Sequence, residues 1–134
     1  MSKELAKEWL LSALADLQSI RYLINDEFLT HMVAFHGQQC VEKCFKAILE
    51  YTGNRVPKEH STLKLYGMVK DQLPEEIDPD FLTDLDDLYI EARYPGDLGL
   101  LPHGKPSLGE AQEFYAFAQN IFDIVCGHLG IQIE

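Results

Sequence analysis

HMVAFHGQQCVEKCFKAILEYTG, residues 31–53, decides the fold. Ala34, Gly37, Val41, Cys44, Phe45 and Ile48 recur every three or four positions, the spacing that places side chains on one face of an α-helix. His36, Gln39, Lys43, Lys46 and Glu50 fall on the opposite side and are neighbours along one polar ridge. The helix is expected over residues 31–52. Gly53 stops it, because glycine accepts the positive φ of a helix C-terminus.

The same periodicity extends in both directions. Before this helix, Leu5, Trp9, Ala13, Leu17, Ile20 and Leu23 give one buried face to a helix over residues 3–23, with Ser2 as its N-cap. After it, the loop Gly53 to His60 leads to Ser61 or Thr62, which caps a shorter helix carrying Leu65, Tyr66, Val69 and Leu73. A fourth helix begins near Pro79 with Asp78 as its cap, buries Leu82, Leu85, Leu88, Tyr89 and Ala92, and ends at Arg93-Tyr94-Pro95. GDLGLLPHGKP, residues 96–106, reads as an irregular loop. Ser107 and Glu110 form a capping box that opens the last helix, which runs to Gly130. Phe117 and Ile124 widen its apolar stripe beyond one neighbour's needs, which predicts a second contact such as another subunit. The fold class is all-α, an antiparallel helical bundle of about five helices, expected as a single domain over residues 1–134.

Composition narrows the function. The chain has 134 residues, 46% of them hydrophobic, enough for one real core. Glu4, Glu8 and Asp16 interrupt the first apolar stretch, so no export signal is expected. No run reaches the ~20 apolar residues of a membrane span. A cytoplasmic location follows. Cys40, Cys44 and Cys126 fit that compartment as buried small hydrophobes, and no second Cys/His pair completes a zinc site, so neither metal nor cofactor is expected. The Asp-rich stretch 78–87 lacks the glycine and ligand spacing of a calcium loop, and its carboxylates are read as capping and solvating. A net charge of −11 excludes broad binding to DNA. Residues 43–70 nevertheless carry Lys43, Lys46, Arg55, Lys58, Lys64 and Lys70 against Glu50 and Glu59, a local +4 on an otherwise acidic body. Such a patch can hold a nucleotide or a short RNA.

Three sets of residues can carry chemistry. Arg55 and His60 form an R-x4-H pair. Metal-independent RNA cleavage needs a group to accept the 2′-hydroxyl proton and a cation to steady the phosphorane, and these types suit it. The alternative is a packing histidine beside a solvated arginine. Arg93-Tyr94-Pro95 presents a guanidinium and a phenol at a rigid turn, or caps its own helix. On the polar ridge, Lys43 and Lys46 would meet phosphate while His36 and Gln39 meet a base or sugar. The ridge is equally read as a solvated face held by Gln39–Lys43 and Glu42–Lys46 contacts.

FHGQQCVEKCFKA, residues 35–47, resembles the signature helix of HEPN-domain proteins (higher eukaryotes and prokaryotes nucleotide-binding). Gly53, Pro57-Lys58, His60 and Leu63 resemble that family's next loop, and Glu91-Ala92-Arg93-Tyr94-Pro95 its arginine–tyrosine–proline turn. The resemblance implies a dimeric helical bundle, similar to the helical domain that accompanies the nucleotidyltransferase domain in kanamycin nucleotidyltransferase. It also implies partnership with a minimal nucleotidyltransferase in a toxin–antitoxin-like pair. Many members are metal-independent ribonucleases with an R-x4–6-H motif. The leading expectation is therefore a nucleotide-binding module using His36, Gln39, Lys43, Lys46, Arg93 and Tyr94. The second is a homodimeric ribonuclease toxin using Arg55 and His60, and the third an assembly domain alone.

Overall fold

The computed structural model describes residues 2–92 and 105–133. Helix α1 spans Lys3–Leu23, α2 Thr30–Tyr51, α3 Thr62–Val69, α4 Pro79–Ala92 and α5 Leu108–Leu129. Short 3-10 turns at Glu27–Leu29 and Lys70–Gln72 adjoin α2 and α3. No strand occurs among the described residues. The ends are those that local chemistry requires. The Ser2 and Ser61 hydroxyls each accept a backbone N–H of the first turn, Ser107 and Glu110 close the capping box, and Gly130 ends α5 at a φ of 65°.

Helix α2 is the axis, packed against all four other helices. It runs antiparallel to α1, because the Ser2 N–H donates to the Glu50 carbonyl. It runs antiparallel to α4, since Phe35 stacks on Tyr89 while Gln38, one turn on, meets Asp86. It runs parallel to α5, with Gly37 beside Phe114 and Cys40 beside Ala118. Phe45, Ile48, Leu10, Leu17, Leu85 and Ile121 are fully or almost fully buried at the centre. No helix among the described residues is long and apolar enough to cross a membrane.

Three expectations need correction. The buried face of α1 starts at Ala6 and Leu10, whereas Leu5 is 52% exposed and Trp9 only half-buried. Both registers satisfy helical spacing and share Ala13, and the packing of α2 favours the one with the small Ala6. Second, the side of α2 opposite its apolar stripe is not a solvated face, because α1 covers much of it and Glu42 and Lys46 are buried. Third, the width of the α5 stripe has a partner inside the chain: Phe117 stacks on Phe81 of α4 at 4.2 Å, and Ile124 packs against the core.

Cys40 and Cys44 are fully buried and Cys126 partly so. Burial, then the neighbouring Cys40, pushes the Cys44 thiol well above its usual range. A folded-state pKa above the unfolded one favours the fold while the unfolded thiol stays protonated, and that contribution is lost as pH rises past about 8.5. Ellman's reagent at pH 8 should therefore titrate no thiol other than Cys126 in the folded chain and all three in urea. Rapid labelling of Cys40 or Cys44 without denaturant would contradict this packing.

Candidate functional site

The polar residues of α2 are tied to three carboxylates, one each from α1, α2 and α4. Asp16 of α1 is the first. Its Oδ1 lies 2.9 Å from His36 Nδ1 and its Oδ2 accepts from Lys43 Nζ at 2.8 Å. Asp16 stands three residues after Ala13 and four before Ile20, so helical geometry carries it into the α1–α2 contact.

Glu42 is the second. Its carboxylate accepts from Lys46 Nζ at 3.0 Å and from Gln39 Nε2 at 3.3 Å, and it lies 3.3 Å from His60 Nδ1. The side chains of Glu42 and Lys46 are 5% and 6% exposed, so this ion pair is internal, with the ammonium 5.5 Å from the centre of the Trp9 ring. The Glu42–Lys46 contact expected from spacing is present, whereas Gln39 bonds Gln38 and Glu42, and Lys43 turns to Asp16.

Asp86 of α4 is the third, and it caps α3. Its two oxygens accept from the Thr62 N–H at 2.8 Å, the Leu63 N–H at 3.1 Å, the Ser61 hydroxyl at 2.9 Å, the Thr62 hydroxyl at 2.8 Å and Gln38 Nε2 at 3.2 Å. A carboxylate at a helix N-terminus satisfies orphan amides and the helix dipole together. Gln38 also donates to the His60 carbonyl. The loop bearing His60 is thus pinned from α2 and from α4.

His60 itself, 60% exposed, lines a hollow of about 430 Å³ whose other walls include Leu63, Lys64, Thr83, Asp87, Tyr89 and Ile90. Its ring lies 6.0 Å from that of Tyr89, which Phe35 backs at 5.4 Å. Glu59 closes the rim. The Ser61 backbone N–H holds its carboxyl below the usual carboxylate range. Arg55 lines a different hollow, with Val56, Pro57 and Lys58. Arg55 and His60 therefore line different hollows within one chain. His36, Gln39, Lys43 and Lys46 share one helix but divide between Asp16 and Glu42. Arg93 and Tyr94 lie outside the described residues.

Asp16, Gln38, Glu42, Asp86 and Tyr89 are the organising residues that the sequence reading did not select as site residues. Three of them, Asp16, Gln38 and Asp86, are polar residues standing in apolar stripes, and that misplacement was the available signal. Among the described residues no group of His, Cys, Asp and Glu is placed to hold a metal ion.

The chain matches the family model of the HEPN domain over residues 6–129. No curated protein and no solved structure matches it.

The Asp16 cluster makes a direct test of the α1–α2 contact. Asp16→Ala leaves His36 and Lys43 facing an empty position. Because both are partly solvated, the loss in urea-unfolding stability should be about 1–3 kcal/mol. Adding Lys43→Met should recover part of it, since the stranded charge is removed. Strict additivity of the two changes would show that the pair does not couple.

Proposed function

Since this chain belongs to the HEPN domain family, a family generally concerned with nucleotides and RNA, we propose that it is a nucleotide- and RNA-binding module whose contact surface is the loop 53–64 and the hollow beside it. The observation that carries the reading is the division of that loop. Arg55 and Lys58 are exposed on one stretch, and His60 opens onto an aromatic-floored hollow on the next. Cations free to neutralise phosphate beside a partly apolar recess suit a phosphodiester with one base turned out. Lys43 and Lys46 belong to the same basic segment, but their ammonium groups already serve Asp16 and Glu42, so the phosphate role passes to Arg55 and Lys58. His36 and Gln39 support the site from within α2. Arg93 and Tyr94 follow the wall residue Ile90 by three and four positions in the chain and stay in the proposed surface on that ground. The partner proposed is a minimal nucleotidyltransferase, with this chain as a homodimer in a toxin–antitoxin-like pair.

One contact favours a second reading. A buried carboxylate 3.3 Å from His60 Nδ1 orients an exposed imidazole in the way a general acid–base pair requires. A homodimeric ribonuclease would use this His60, with Arg55 contributed from the other subunit.

Both readings meet in one experiment. Binding of a short single-stranded RNA, followed by fluorescence anisotropy across a salt series in EDTA, should weaken in an Arg55→Ala/Lys58→Ala variant. The slope of log affinity against log salt should become shallower by about 1.4, two phosphate contacts at roughly 0.7 each. An unchanged slope would remove these residues from the interface. Gel analysis of the same samples separates the readings. Cleavage that falls ~100-fold or more in His60→Ala supports the enzyme, and intact RNA supports the binding module.

A further inference from the structure

We propose that the hollow beside His60 is a base subsite selective for guanine; this rests on the nucleotide-binding reading above and specifies its ligand. The Thr83 hydroxyl donates to the Pro79 carbonyl at 3.0 Å, so only its lone pairs remain for an occupant. The His60 ring turns Nδ1 to Glu42, which leaves Nε2 on the side of the ring away from that carboxylate. The Asp87 carboxylate is exposed and has no donor within hydrogen-bonding distance among the described residues. The Asp86 oxygens between them already hold five donors, and the Ser61 hydroxyl is spent as both donor and acceptor. Among the described residues the cationic donor at the rim is Lys64, 3.9 Å from Glu59.

Among the described residues, and apart from Lys64 and the Tyr89 hydroxyl, the side chains of this hollow offer mainly acceptors, between the aliphatic surfaces of Leu63 and Ile90 and the ring of Tyr89. Its volume of about 430 Å³ lies in the range of roughly 300–1,000 Å³ common to small-ligand sites. A planar occupant must therefore bring the hydrogens. Uracil brings one ring N–H flanked by two carbonyls that would face acceptors. Adenine and cytosine each bring one amine. Guanine brings N1–H and the N2 amine side by side, the pair that a single carboxylate such as Asp87 receives as two parallel hydrogen bonds. Its O6 carbonyl, next to N1, requires one donor, and Lys64 is there to supply it. Glu59, Asp86 and Asp87 also make the hollow electronegative, which turns a phosphate outward, toward the solvent-facing cations of the loop.

The test is a calorimetric or NMR titration of the whole chain with GMP, IMP, AMP and UMP. IMP keeps N1–H and O6 and lacks only the N2 amine. GMP should bind about tenfold more tightly than IMP, the scale of one good bidentate base contact, and UMP most weakly. Asp87→Asn, an exposed substitution whose folding circular dichroism checks, should bring GMP and IMP together. Equal binding of GMP and IMP, or a preference for UMP, would overturn the guanine assignment and leave the nucleotide-binding function standing. A GMP preference unaffected by Asp87→Asn would move the subsite elsewhere. No binding of any nucleotide at millimolar concentration would overturn both.

Discussion

Enclosing one helix by four others leaves it little solvated face, and that constraint shapes the rest of this molecule. Helix α2 carries a full complement of polar side chains, yet α1, α3, α4 and α5 all pack on it. Each polar group must then find a partner inside the bundle or leave an uncompensated burial cost of several kcal/mol. The solution is three carboxylates, from α1, α2 and α4, that collect the lysines, histidines, amides and hydroxyls around the axis. The contacts that fasten α1 to α2, and the loop 53–61 to α4, are consequently polar contacts set in an apolar core. Buried polar networks of this kind fix a register that apolar packing alone leaves degenerate.

Elements could be read from the sequence because their signals are local. Ser2, Ser61, Ser107 and Gly130 act within one helical turn, and their structures match that reading. Helix boundaries near residues 30, 52 and 79 differ by at most one position from those expected. The tertiary pairing was less legible because it depends on which of two registers a wide apolar arc presents. Leu5 and Trp9 have the same helical spacing as Ala6 and Leu10, and only the approach of α2 chooses between them. Lys46 shows the limit most plainly. By type and spacing it belongs to a solvated ridge, and it is interior because Trp9 and Glu42 receive it. A polar residue at an apolar position of the helical repeat marks such a site. Gln38 shares the stripe of Ala34, Val41 and Phe45, and Asp86 that of Leu82 and Tyr89, so each announces a buried hydrogen-bonding centre.

This arrangement also redistributes the charge. The basic segment 43–70 begins with two lysines whose charges are neutralised internally, so its effective surface charge sits in the loop, on α3 and in the turn after it, at Arg55, Lys58, Lys64 and Lys70. An acidic body repels polyanions at distance, and a small cationic loop confines attraction to one place. Long nucleic acid is disfavoured by such a distribution, while a short or locally exposed phosphodiester is tolerated.

Position in the network distinguishes His60 from His36, the other histidine bound to a carboxylate among the described residues. His36 has the tighter contact, 2.9 Å to Asp16 against 3.3 Å to Glu42 for His60, but its side chain is only 23% exposed and is flanked by Lys43 on the same carboxylate. His60 is the more loosely held and much the more open, and its backbone carbonyl is held by Gln38 while its ring faces a recess. A group that is to meet a ligand must keep one nitrogen for it and spend the other on being oriented. His60 meets both conditions, and it does so because Glu42, which spacing alone assigns to a surface pair with Lys46, is placed under the loop by the folding of α2 into the centre.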